Sequence, residues 1–399
     1  MSTEGGAGGA GGAGGAALLG GAGGAGGAGG AGGAGGAGGA GYGGYSSPMT
    51  AGALIMQRDG IVGNWKGKTL PPTTRALEDT ANLHAWEPWV RAAIIDFDLL
   101  SHLYFNNHSE TFTYTDHGST VSKTSNQTSV TIWHLDATFT ATNPAPTTTS
   151  SRVATFIRPT DAIFKAQLDF LDQYSDLRED RAAEILCELG PQYAFWSSVV
   201  NLHPERTKKT IELIDAALRL ANYVEMRIKH ALACRRPIEL SPQVQPIILT
   251  PGHGSFPSGH STENHMVARI LWELCGKGNK DLGEQLMREA ARIAVNRTVA
   301  GVHFPVDTAA GQVLGLTLGR YFIQRALGGR NFNAWRFDGE RYPGNQDFIF
   351  HHFHYDPGTD KETMDPYVDP LYVDSIPSKA PAKSLILGWL WKEAADEWI

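Results

Sequence analysis

Gly252-His253-Gly254-Ser255-Phe256-Pro257-Ser258-Gly259-His260 is the stretch on which the reading of this chain turns. Ser258 stands where a helical pattern begins, continuing through Leu274 until Gly276 and Gly278 end it. A helix N-terminus offers free N–H groups and positive dipole to an anion. Gly259, lacking a side chain, lets the backbone approach a ligand closely. His260 is then placed to exchange protons with a ligand oxygen. The same residues also read as a serine N-cap followed by a glycine turn.

Upstream, Thr207 to Ala233 sets Ile211, Ile214, Leu218, Ala221, Val224 and Ile228 largely along one side of a helix. Lys229 and Arg236 are seven residues apart, two helical turns, so the spacing puts both on one face, with Pro237 ending the helix. Arg236 offers a rigid fork for two oxygens of one anion and Lys229 a compact charge. Downstream, Asn296-Arg297-Thr298-Val299-Ala300-Gly301-Val302-His303-Phe304-Pro305-Val306-Asp307 ends one helix near Gly301 and begins another near Asp307. Asp307 can accept the second ring N–H of His303 and fix its tautomer, besides capping the helix. Each block alone is ordinary: a solvated face, a cap, a packing histidine. Together they offer three cations, a hydroxyl, a glycine N–H and two histidines, which is what a tetrahedral oxyanion needs.

The rest of the 399 residues supplies the scaffold. Residues 1–44 are nearly all Gly-Gly-Ala repeats and read as a disordered tail, because nothing there can be buried to offset the entropy of ordering glycine. Residues 45–155 form an N-terminal region. In it Thr111 to Thr115 and Ser129 to Trp133 alternate as strands, Asn143 to Pro146 ends the β region as a loop, and Trp89 to Leu100 is either strand or helix. Residues 156–330 are helical in texture, with a break at Gly190-Pro191. Residues 331–399, rich in Pro, Asp and aromatics, read as a loop-rich extension with a short terminal helix. The expected fold class is mainly α, a helical bundle with a small β-containing N-terminal region.

A net charge of −7 without a long basic run gives nucleic-acid binding little support. Three sparse cysteines, Cys187, Cys234 and Cys275, suggest reduced thiols rather than a disulfide framework. The opening Met1-Ser2-Thr3-Glu4 lacks a basic n-region and leads into no apolar one, and no stretch reaches the roughly 18 apolar residues of a membrane span. The expectation is a protein of the cytoplasm without a membrane span.

Lys-x6-Arg-Pro, Pro-Ser-Gly-His and Arg-x5-His-x3-Asp, in this order, resemble the three-part signature of one superfamily. It unites type 2 phosphatidic acid phosphatases, bacterial class A acid phosphatases and vanadium-dependent haloperoxidases. The resemblance covers Lys229 to Asp307 and implies the helical bundle of that family. One departure is Asn296, where the family usually has serine.

By position, the resemblance implies that Lys229, Arg236 and Arg297, with the Ser258 hydroxyl and the Gly259 N–H, bind the oxygens of phosphate or vanadate. His303 would then be the phosphorus nucleophile or the vanadium ligand. His260 would be the proton donor to a leaving alcohol, or the assistant to peroxide. His253, seven residues before His260, resembles a second histidine of algal bromoperoxidases and is the candidate halide-site residue.

With neither signal peptide nor span, the resemblance favours a vanadate-dependent haloperoxidase acting on hydrogen peroxide and halide. The alternative is a soluble acid phosphatase that works through a phosphohistidine on a phosphoester and needs no cofactor. A non-catalytic scaffold is the reading of another class. Helical haloperoxidases are often dimers or larger, so a homo-oligomer is implied by resemblance alone. His351, His352 and His354 form a weaker candidate metal cluster beside Asp356.

Overall fold

The computed structural model describes residues 48–64, 67, 76–107, 111–116, 119–124, 128–140, 143–329, 332–365 and 372–398; the Gly-Ala repeats lie outside them. Two helices come first, α1 (Pro48–Ile61) and α2 (Pro88–Leu100), followed by strands β1 (Leu103–Asn106), β2 (Thr111–Asp116), β3 (Ser119–Thr124), β4 (Ser129–Thr140) and β5 (Asn143–Ile157). Helices α3 (Asp161–Ala166), α4 (Leu168–Ser175), α5 (Arg178–Cys187), α6 (Tyr193–Val200), α7 (Lys208–Leu232), α8 (Pro237–Leu240), α9 (Gly259–Leu271), α10 (Lys280–Val299) and α11 (Pro305–Leu327) follow. Strands β6 (Phe332–Asp338), β7 (Phe353–Asp356), β8 (Lys361–Met364) and β9 (Val373–Ser378), then helix α12 (Leu385–Ala395), complete the order. The described chain is mainly α, as expected.

Helix α9 runs through the centre, packed on α7, α10 and α11. Every residue from Ser261 to Leu271 is buried, including Glu263, Asn264, His265 and Arg269. A helix buried all round is normally apolar all round, so these polar residues at the heart of the bundle need partners. Gly311, Gly315 and Gly319 recur every four residues along the face of α11 that meets α9. A Cβ on Gly311 would lie 2.6 Å from the Ser258 carbonyl oxygen, and one on Gly319 would lie 2.9 Å from Arg269 Cβ. This glycine stripe brings the two backbones together and so sets the N-termini of α9 and α11 side by side. Ser258 N–H donates to the Asp307 carbonyl at 2.9 Å, which ties the two starts.

A five-stranded sheet, β1-β4-β5-β6-β9, lies against the bundle; β5 and β6 run parallel and the other neighbours antiparallel. Strands from both ends of the chain thus flank the helices in sequence and meet in space. Phe156 of β5 and Phe337 of β6 enclose Phe256 at ring separations of 6.4 Å and 5.8 Å, and Phe256 is fully buried. Aromatic pairs of this kind each contribute about 0.5–1.5 kcal/mol beyond their burial. The sheet therefore anchors the loop that leads into Pro257-Ser258-Gly259-His260.

Several elements differ from the sequence reading. The stretch 143–146 continues strand β5 instead of ending it, with Asn143 paired to Thr140. Of the two alternatives left open for Trp89 to Leu100, strand or helix, the structure has the helix, with Pro88 at its first position. The segment after Arg330 supplies four strands, because its aromatic residues find an existing sheet edge and a helix face to cover. The final turn also works on the bundle: Glu397 accepts from the N–H groups of Lys209 at 2.7 Å and Thr210 at 2.8 Å, answering the free donors at the start of α7.

Candidate active site

The three motif blocks converge. Lys229 lies in the last turn of α7, buried to 2% exposure, and its Nζ donates to the carbonyl oxygens of Gly254, Ser255 and Pro257. It thereby holds the loop that delivers Ser258 and Gly259. Arg236 is not on the same helix, as its spacing suggested. α7 stops at Leu232, where Ala233 turns left-handed at φ 46° and returns its N–H to the Lys229 carbonyl. Arg236 is extended before Pro237, which disfavours helical backbone in the preceding residue. From there its guanidinium donates to the carbonyls of His253 (2.9 Å) and Val302 (2.8 Å), and Nη1 lies 3.0 Å from His303 Nε2.

That last contact fixes a tautomer. An arginine can only donate, so His303 Nε2 must hold a lone pair; Nδ1 then carries the proton and donates to Asp307 Oδ2 at 3.2 Å. Burial pushes the His303 pKa well below its usual value, and the charges of Arg236 and Lys229 push the same way. The ring is therefore neutral and lies among cations. Asp307 Oδ2 also accepts the Phe304 N–H at 2.9 Å, and Oδ1 accepts from the Ser255 hydroxyl at 3.4 Å. It is thus both helix cap and histidine orienter.

Ser258 is the N-cap of α9, and its Oγ accepts from Ser261 N–H at 3.5 Å. His260, on the first turn, has Nε2 2.9 Å from the Glu188 carbonyl; a carbonyl only accepts, so Nε2 carries the proton and Nδ1 the lone pair. Burial, with Arg297 next in effect, lowers the His260 pKa to about 3.

Arg297, on α10 and 1% exposed, pairs through Nη2 with Glu188 and donates to the Ile185 carbonyl at 3.3 Å. Its Nε and Nη1 are buried with no protein partner. Orphaned guanidinium donors inside a protein are costly. Here they belong to a group of cations, Arg297, Lys229 and Arg236, whose charges act on His260; Lys229 and Arg236 also act on His303.

His253 joins this group: its Nδ1 lies 3.2 Å from Arg236 Nη2, its Nε2 is buried without a partner, and burial lowers its pKa to about 4. Asn296 faces Glu188, Glu184 and Arg181. It is fully buried and donates to Glu188 Oε1 at 2.6 Å and Glu184 Oε2 at 3.1 Å, while its own oxygen accepts from Arg181 at 2.9 Å. The departure from serine therefore falls on the support of Glu188. His351 and His354 stack edge-on at 5.2 Å, while His352 turns away to the Tyr372 hydroxyl at 3.0 Å, so these three do not share one focus.

The sequence reading missed the acids. Glu188, Glu225 and Glu263 are all buried. Burial raises the pKa of each, and the neighbouring cations oppose the rise. Glu225 sits one turn before Lys229, and its Oε1 would lie 2.8 Å from a Cβ on Gly259, so a side chain at 259 would have to displace that carboxylate. Acidic residues on otherwise apolar buried helix faces were the available signal.

Residues 214–327 match the family model of the PAP2 superfamily. Two curated relatives, both named decaprenylphosphoryl-5-phosphoribose phosphatase and from two strains of Mycobacterium tuberculosis, are 29% identical over 127 residues, 32% of this chain. The match spans 66% of each relative's length, just under two thirds. A bacterial vanadium-dependent iodoperoxidase aligns at TM-score 0.33 and 17% identity, covering 40% of this chain and 47% of its own. A transmembrane PAP2-type phosphatidylglycerolphosphate phosphatase from Bacillus subtilis aligns at TM-score 0.26 and 20% identity, covering 42% and 86%. Among the described residues, no helix is long and apolar enough to cross a membrane. The residues matched by the PAP2 superfamily model include Lys229, Arg236, Ser258, His260, Arg297, His303 and Asp307.

Proposed function

We propose that this chain is a phosphatase that cleaves a phosphoester through a phosphohistidine on His303. The observation that carries the proposal is Arg297, whose buried Nε and Nη1 have no protein partner in a cluster that also holds two other cations and a neutral imidazole. A phosphoryl group supplies the missing acceptors.

In this mechanism Lys229, Arg236 and Arg297 neutralise the phosphoryl oxygens, joined by the Ser258 hydroxyl and the Gly259 N–H at the start of α9. The His303 Nε2 lone pair attacks phosphorus. Asp307 holds the Nδ1 proton and stabilises the positive charge that develops on the ring. The bond from phosphorus to the ester oxygen breaks, and His260 gives that oxygen a proton. His260 then takes a proton from water as the water cleaves the P–N bond, releasing phosphate and restoring His303. Neutral His260 gains its proton when substrate arrives, because the phosphate charge offsets the cations that keep its pKa low.

The sequence reading placed a haloperoxidase first; the named phosphatase relatives favour the phosphatase. His253, beside Arg236 with a free buried Nε2, favours the second reading. The donor set fits vanadate as well: His303 Nε2 would ligate it, and the three cations with Ser258 would hold its oxygens. Bound there, vanadate supplies a Lewis acid for peroxide activation. Hydrolysis of p-nitrophenyl phosphate, run beside bromination of a phenol-red type dye with vanadate and peroxide, separates the readings. Phosphate release alone supports the phosphatase, dye bromination alone the haloperoxidase, and activity in neither assay removes both.

A further inference from the structure

A second constellation lies on the sheet. His134 and Asp136 stand on β4, and His102 immediately precedes β1, its antiparallel neighbour. One ligating atom from each of the three falls within 4.8 Å of the others. The two imidazole rings stack at 5.0 Å with planes 12° apart. Backbone pairing fixes their positions: Leu103 opposes His134, and Leu135 N–H donates to the His102 carbonyl at 2.8 Å.

The outer hydrogen bonds are also in place. His102 Nδ1 lies 2.7 Å from the Leu135 carbonyl, which only accepts, so Nδ1 carries the proton and Nε2 keeps a lone pair. His134 Nδ1 lies 2.9 Å from the Tyr321 hydroxyl. A phenol accepts as readily as it donates, so Nδ1–H can point there and free Nε2 toward Asp136 Oδ1, 2.9 Å away. His134 is fully buried. The neighbouring Arg325 charge is answered by Asp98 at 3.1 Å. His102 and Asp136 are partly exposed, which leaves a route from solvent.

We propose that His102, His134 and Asp136 bind a zinc-class divalent cation that pins the edge strand β1 to β4. Two imidazoles and one carboxylate, with a fourth position open to water, suit zinc better than a hard cation such as calcium or magnesium. A backbone carbonyl and a phenol hold the far nitrogens, as outer partners of metal-bound histidines do. Through Tyr321 the site touches α11, 14 residues beyond Asp307; at about 1.5 Å per helical residue it lies roughly 21 Å from the anion cluster. It therefore stands independently of the proposed phosphatase chemistry.

The test uses the full chain without a histidine tag, stripped by a chelator and titrated with Co2+. The expected result is the strong visible absorption of four-coordinate cobalt, saturating at one ion per chain and displaced by Zn2+. His102→Gln and Asp136→Asn abolish that signal while keeping the wild-type circular dichroism. Tyr321→Phe, which removes only an outer hydrogen bond, weakens binding roughly 10–100-fold. A weak six-coordinate spectrum overturns the proposal. So does binding that survives unchanged in His102→Gln and Asp136→Asn, which would place the ion elsewhere.

Discussion

Replacing Arg297 with methionine separates the two things its guanidinium does. Nη2 pairs with the buried carboxylate of Glu188, while Nε and Nη1 have no protein partner and, in the proposed function, meet the phosphoryl group. Breaking one partner from a buried pair costs about 3–5 kcal/mol, because the other charge is stranded. The lower end applies here: Asn296 still donates to Glu188 Oε1 at 2.6 Å, and burial already raises the Glu188 pKa, so the acid can take up a proton. Adding Glu188→Gln removes the stranded charge and returns most of the lost stability.

The anion site gains nothing from that second change. A cation about 4 Å from a phosphoryl oxygen, at an effective dielectric of about 20, is worth about 4 kcal/mol. That is close to three decades in rate. Thermal unfolding should show a marked loss in Arg297→Met and recovery in Arg297→Met/Glu188→Gln. Both variants should lose ~1000-fold in kcat/KM toward p-nitrophenyl phosphate. If activity returned together with stability in the double variant, Arg297 would be a structural residue and the anion-binding reasoning would be refuted.

Three further outcomes follow from the same geometry. His260→Ala should slow hydrolysis of an alkyl phosphate by roughly 100–10,000-fold but affect p-nitrophenyl phosphate far less, since nitrophenolate leaves without a proton; equal losses would remove His260 as the acid. Burial lowers the Lys229 pKa, so rising pH strips its proton earlier than from an exposed lysine. Inorganic phosphate should therefore bind more weakly as pH rises, and Lys229→Arg should flatten that slope; a slope unchanged in the variant contradicts this. Asn296→Ser should cost about 1–3 kcal/mol in denaturant unfolding, because Glu188 and Arg181 lose a partner, with kcat/KM nearly unchanged; a large kinetic effect with no loss of stability would place Asn296 in the site itself.

The bundle was legible because its helices carry long runs of apolar periodicity and end at glycine or proline. The α9, α10 and α11 ranges follow that pattern, whereas α7 ends at a left-handed Ala233. The convergence of the motif residues was legible because they sit at fixed offsets from helix ends: Ser258 at a start, His303 and Asp307 in a joint. What failed depended on contacts distant in sequence. Spacing alone put Arg236 on one helix with Lys229, whereas a left-handed Ala233 and the demands of Pro237 carry it around a corner to the same place. Strands β6 to β9 gave little local signal, since β6 exists by pairing with β5 across the whole helical region. The acids Glu188, Glu225 and Glu263 gave no local signal, because their surroundings come from other elements: Glu188 meets Asn296 and Arg297 of α10, and Glu225 of α7 lies against Gly259 at the start of α9.

The most direct trial of the anion cluster is a crystal structure of the chain soaked with vanadate as a phosphate mimic. The account predicts one ion bonded to His303 Nε2, with Arg297 Nε and Nη1 turned onto its oxygens beside Lys229, Arg236 and Ser258. An ion seated elsewhere, or phosphate-ester hydrolysis that vanadate does not inhibit, would contradict it.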